Sequence, residues 1–205
     1  MVKGKREENI KRIILLEDRI IDCERCPTSL QCIRKPSLGK GDLVPDAVLI
    51  FESDKNCIED ISDIIEIRKT ISTNLGIKSI YHTFLVRCQP KSCTCLNNIN
   101  CYGGRKLIDK EYDCILNNKK CSGIPINPSD EQIVSCMPFV IEEIEILKPS
   151  YIFLFGERVI DFMLKSLGVF NDYKIPTVIH VDDTSLVLLD SEEYFDSDYC
   201  AQIKI

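Results

Sequence analysis

The chain has 205 residues, 12 of them cysteine and none tryptophan, and a formal net charge of −6. That length suits one domain with an apolar core of its own, so the thiols are not needed as staples. No apolar run approaches the ~18 residues of a membrane span, and the opening Met1-Val2-Lys3-Gly4-Lys5-Arg6 lacks the apolar stretch of a secretory signal. An intracellular chain without a membrane segment is expected, one whose thiols stay reduced and read first as metal ligands rather than as a disulfide framework.

Residues 5–22 predict a helix, with Ile10, Ile13, Ile14, Leu16, Ile20 and Ile21 on one stripe. Pro27 and the Pro36–Gly41 stretch predict an irregular, Cys-bearing loop. Ala47-Val48-Leu49-Ile50-Phe51 is continuously apolar, as in a strand buried on both faces. Helical spacing returns over 58–74, and Ser79–Val86 is a second strand. Residues 89–128 lose all periodicity and are rich in Cys, Asn, Lys and Gly.

Ser129-Asp130-Glu131-Gln132 has the form of a capping box, opening a helix to Lys148 with a kink expected at Pro138. Tyr151–Gly156 is a third buried strand, followed by a helix over 157–167. Thr177–Val181 and Leu186–Leu189 flank Asp182-Asp183-Thr184, which suits a hairpin or two consecutive strands, and a short helix ends the chain. The alternation predicts a single three-layer α/β/α domain over 1–205. Its centre would be a mostly parallel four-stranded sheet, and 89–128 would form an insertion within it.

Cys23-Glu24-Arg25-Cys26 ends the first helix. Two thiolates at that spacing can grip one metal centre while the backbone turns between them. A redox pair fits less well, because a thioredoxin-type motif begins a helix after a strand. Inert thiols are the other reading. Two ligands do not close a site. The next thiols in ordered contexts are Cys88, in Val86-Arg87-Cys88-Gln89-Pro90, and Cys136, in Ser135-Cys136-Met137-Pro138.

These motifs in this order resemble the iron–sulfur (family 4) uracil-DNA glycosylases. There, C-x-x-C precedes P-D-A, then T-N-x-V-K-C-R-P, then C-x-P-x-L, then P-x-x-I-V-x-L-G. Here the chain reads Cys23/Cys26, Pro45-Asp46-Ala47, Thr83-Phe84-Leu85-Val86-Arg87-Cys88-Gln89-Pro90, Cys136-Met137-Pro138-Phe139 and Pro149-Ser150-Tyr151-Ile152-Phe153-Leu154-Phe155-Gly156. The resemblance covers about residues 10–88 and 129–195. It implies a glycosylase-like fold and a [4Fe–4S] cluster on Cys23, Cys26, Cys88 and Cys136, structural rather than redox in base excision.

The chemistry is not matched. Excision needs a flipped uracil read by an amide and stacked on a ring, with stabilisation of the sugar cation and the leaving anion. The family's G-E-x-P-G is replaced by Glu52-Ser53-Asp54-Lys55-Asn56, where Asp54 alone could replace the glutamate. The stacking G-R-P-F is missing, and no Phe occurs between Phe51 and Phe84. The uracil-reading Asn corresponds to Phe84, and the histidine of H-P-S corresponds to Asp190 in an acidic loop. His82 and His180 read as strand residues rather than catalytic groups.

Cys88 and Cys136 enclose 47 residues, a longer span than in the family, with Cys93, Cys95, Cys101, Cys114 and Cys121 among them. Too few apolar side chains are present for that segment to order itself, so four of these thiolates holding one Zn²⁺ is one expectation. A flexible, thiol-rich loop in which Cys93 or Cys95 replaces a cluster ligand is the other. Cys32, Cys57 and Cys200 read as ordinary thiols.

The expected function is that of a catalytically degenerate glycosylase-like protein, an accessory or structural subunit of a replication, repair or transcription assembly. The alternative is an active uracil-DNA glycosylase with a rebuilt pocket around Asp54. A nuclease or redox iron–sulfur protein that only imitates this fold ranks last. Partner subunits would dock on the insertion and on the acidic tail, residues 180–205, with seven acids and one lysine. Residues 1–40, with ten Lys/Arg against six acids, are the candidate DNA contact.

Overall fold

The computed structural model describes residues 2–26, 36–54, 62–88, 91–92, 113–114, 118–120, 124–170 and 172–205. Helix α1 (Val2–Ile21) leads to strands β1 (Lys40–Gly41) and β2 (Ala47–Ser53), helix α2 (Ser62–Leu75) and strand β3 (Ile80–Val86). Four two-residue strands follow in the insertion: β4 (Lys91–Ser92), β5 (Asp113–Cys114), β6 (Lys119–Lys120) and β7 (Ile124–Pro125). Helix α3 (Asp130–Leu147), strand β8 (Tyr151–Phe155), helix α4 (Glu157–Ser166), strands β9 (Thr177–Val181) and β10 (Thr184–Leu189) and helix α5 (Ser197–Cys200) complete the chain.

The α/β class holds, but the sheet is mixed and has six strands, in the order β1-β3-β2-β8-β10-β9. Its inner neighbours β3, β2, β8 and β10 run parallel, while β1 and β9 are antiparallel edges. β9 is the first arm of the expected hairpin, turning through Asp182 at φ 51°. β1 was not expected, because Pro36–Gly41 reads as loop. It forms because Gly39 and Gly41 carry no side chain: a Cβ at Gly41 would lie 2.3 Å from the Ile80 carbonyl oxygen. The insertion is not wholly irregular either, since β4 pairs with β7 and β5 with β6.

Alternation along the strands divides the core. Val48, Ile50, Tyr81, Leu85, Ile152, Leu154, Leu186 and Leu188 face Ile13, Leu16 and Ile20 of α1, Ile133, Phe139 and Val140 of α3, and Ile160 and Met163 of α4. Ala47, Leu49, Phe51, Phe84, Phe153, Phe155, Val187 and Leu189 face Ile67 and Ile71 of α2 and Cys200 of α5. Helices therefore cover both faces, which is why the strands read as continuous apolar runs.

The capping box is present. The Ser129 side chain accepts from the Gln132 N–H, and the Gln132 side chain accepts from the Ser129 N–H at 2.8 Å. α3 continues through Pro138 to Leu147. Among the described residues, no helix is long and apolar enough to cross a membrane.

Candidate metal centre

Three segments meet beside the carboxyl end of β3. α1 docks on α3, with Arg19 Nη2 2.5 Å from Glu142 Oε1, and the chain leaves it as Cys23-Glu24-Arg25-Cys26. Cys88 follows β3 directly, and Cys136 lies buried on the inner side of α3. Together with Ile20, Val86, Arg87, Gln132 and Phe139, these four thiols line one cavity. Arg25 lies 4.5 Å over the Phe139 ring, holding the Cys23–Cys26 turn against α3.

The sulfurs are surrounded by donors. The Arg25 N–H donates to Cys23 Sγ at 3.5 Å, and the Arg87 backbone N–H donates to Cys136. Cys26 and Cys136 share a hydrogen bond, which pulls the Cys26 thiol down to about 6 and pushes Cys136 up.

Sequence reasoning did not single out the charged network behind the cavity. Glu143 of α3, only 1% exposed, accepts from Tyr81 Oη at 3.0 Å and Thr83 Oγ1 at 2.6 Å, and pairs with Arg87 Nη2. Burial opposes the Arg87 charge, but the Glu143 carboxylate outweighs it and holds the guanidinium above its ordinary value. Only Nη2 of Arg87 is satisfied. Its buried Nε and Nη1 have no hydrogen-bond partner among the described residues.

Among the described residues, no three His, Cys, Asp or Glu side chains converge on one ion-sized position. Four thiols around one cavity, with apolar walls and two unpaired Arg87 nitrogens, supply a ligand set of the kind a thiolate-held iron–sulfur cluster takes. Cys93, Cys95, Cys101 and Cys121 lie outside the described residues. Cys114 is described only by its backbone, in β5.

The other candidate positions lie at or near strand ends. Asp54, just past β2, accepts from Ser37 Oγ at 2.9 Å. Phe84 is buried, tilted against Phe51 at 6.2 Å and edge-on to His82 at 6.0 Å. Asp190, just past β10, receives the Tyr199 hydroxyl on Oδ2 at 3.0 Å, while its own N–H donates to the Tyr199 oxygen at 2.9 Å. His82 is a buried residue of β3, and His180 an exposed residue of β9 whose Nδ1 lies 3.0 Å from Ser185 Oγ.

In a sheet of this order, the crevice for a ligand opens between the carboxyl ends of β2 and β8, where the strand order reverses. Among the described residues, side chains stand beside it on both faces. Phe51 stacks on Phe155 at 4.7 Å, and Phe195 closes edge-on over Phe155 at 5.4 Å. On the other face Arg158 spans Glu52 Oε1 at 2.5 Å, Asp130 Oδ1 at 2.6 Å and the Pro128 carbonyl at 2.9 Å. Two of the basic residues of α1 are also committed, Arg6 to Asp42 and Arg19 to Glu142, while Lys5, Lys11 and Arg12 are exposed. No protein-family model matches the chain, and no curated protein matches it.

Proposed function

We propose that the chain is a glycosylase-like iron–sulfur protein without base-excision activity, serving as an accessory subunit of a nucleic-acid-processing assembly. The observation that carries this reading is the single cavity lined by Cys23, Cys26, Cys88 and Cys136, the four thiols that the resemblance assigns to a [4Fe–4S] cluster. The parallel run β3-β2-β8-β10 within the larger sheet supports the glycosylase-like arrangement. Bound there, a cluster would supply a covalent clamp between the end of α1, the end of β3 and α3. The chain's own residues would ligate it, donate to its sulfurs and shield it with Ile20, Val86 and Phe139.

Loss of excision is supported by the side chains beside the crevice. A flipped uracil would meet the Phe51–Phe155 stack and find Phe84 where an amide is needed. The acidic chain end offers the exposed Asp182, Asp183 and Asp198 to a basic partner, while the exposed lysines of α1 are the candidate DNA contact. The insertion would be a second docking element.

Iron and acid-labile sulfide in anaerobically purified protein test the cofactor. Four of each per chain are expected, with loss of the cluster absorbance in Cys136→Ser. Fewer than four irons with the cysteines intact would overturn the reading. A uracil-containing oligonucleotide tests the activity. No protein-dependent abasic product is expected, and product abolished by Asp54→Ala would replace this reading with that of an active glycosylase.

A further inference from the structure

We infer that Arg87 is a donor to the centre, its unpaired N–H groups available to the bound cluster while Glu143 holds Nη2. The inference rests on the cluster reading above and adds a residue that neither the thiol motifs nor the resemblance assigns. Its basis is a hydrogen-bond count. Arg87 is 1% exposed and borders the four-cysteine cavity. Of its three side-chain nitrogens, Nη2 meets Glu143, and Nε and Nη1 meet nothing among the described residues.

Leaving charged N–H groups buried and unsatisfied is costly. Tyr81, Thr83 and Arg87 Nη2 satisfy Glu143, and two nitrogens of Arg87 stay unpaired in a residue that lines the thiol cavity. An anionic cluster with bridging sulfides offers the acceptors that the protein lacks there. Glu143 then has a second effect. Its carboxylate offsets the guanidinium charge, so the cluster feels directed N–H bonds more than a bare cation.

This arrangement makes opposite predictions for its two halves. One-electron reduction adds negative charge to a cluster, so donors and positive charge nearby favour the reduced form and raise its potential. Arg87→Lys keeps a cation opposite Glu143 and gives up the fork, so its midpoint potential falls below wild type. Glu143→Gln removes the offsetting anion and keeps the fork, so its potential rises. The experiment is a mediated redox titration of the full chain, with iron counted in every sample. Opposite shifts at four irons per chain are expected.

Unchanged potentials, or shifts of the same sign, overturn the role of Arg87 and leave the cluster intact as a reading. Wild-type protein without four irons overturns both, and does so before any titration. Where Arg87→Lys does not retain the cluster, Glu143→Gln decides alone: a rise supports the inference and no rise overturns it.

Discussion

At the carboxyl end of the sheet, the two faces of the molecule have been finished differently. On the α1–α3 face, β3 presents Tyr81 and Thr83 to one buried carboxylate, with Arg87 beyond the strand end, and next to that network lies a thiol-lined cavity. On the α2–α5 face, the same strand presents His82 and Phe84, and rings run from Phe84 through Phe51, Phe155 and Phe195 to Tyr199. The first face has donors left over; the second is filled by its own side chains. Among the described residues the second face also keeps one unpaired buried nitrogen, Nδ1 of His82, but the thiol-lined cavity borders the first.

The sharpest way to break the comparison is to unpair the first face. Glu143→Ala strands the Arg87 charge and two hydroxyls in the core, and a loss of about 3–5 kcal/mol is expected in anaerobic denaturant unfolding. A loss below about 1 kcal/mol would mean that water reaches the network and that the two faces do not differ as described.

Phe84→Asn attacks the second face by introducing the amide that a base-reading pocket requires. It exchanges a buried ring for an unsatisfied polar group, and a cost of about 3 kcal/mol is expected. No uracil excision should appear, because the Phe51–Phe155 stack still stands beside the crevice. Abasic product from this variant would show that the crevice opens in solution.

A third test reads the second face through pH. His82 is 2% exposed and its Nδ1 has no partner among the described residues. Burial, with Arg68 of α2 and Lys40 of β1 nearby, pulls it down to about 4. Between pH 6.5 and 4 the unfolded chain takes up the proton and the folded chain does not. This contribution is therefore complete above pH 6.5 and is lost as pH falls toward 4, at about 1.4 kcal/mol per pH unit. His82→Leu should flatten that slope in stability measured across the interval. An unaltered slope would place the imidazole in contact with solvent.

Much of this fold is legible in the chain itself. Ala47–Phe51 and Tyr151–Phe155 are apolar without alternation because both of their faces are covered. Ser129 and Gln132 mark the start of α3 through short-range bonds that need no tertiary context. β1 is not legible: Lys40–Gly41 is polar and two residues long, and only its contact with β3 makes it a strand. The thiols of the centre stand out because cysteine is scarce elsewhere in ordered proteins. Glu143 does not stand out. It sits among Glu142 and Glu145 on one helix, and only partners brought from β3 distinguish it. Arg87 left one signal, a charge placed between a buried strand and a cysteine.

The four cavity thiols come from chain segments that are made at very different times. Cys23 and Cys26 emerge first, Cys88 after the second parallel strand, and Cys136 only once α3 begins. The cavity does not exist until α1, β3 and α3 have docked, and such non-local closure is slow compared with helix formation. During synthesis the Cys23–Cys26 pair must wait, exposed, for more than half of the chain. For the proposed cluster the consequence is a defined window for assembly: insertion would belong after α3 has packed, and a carrier shielding the first two thiols until then would protect the nascent chain from mispaired metal.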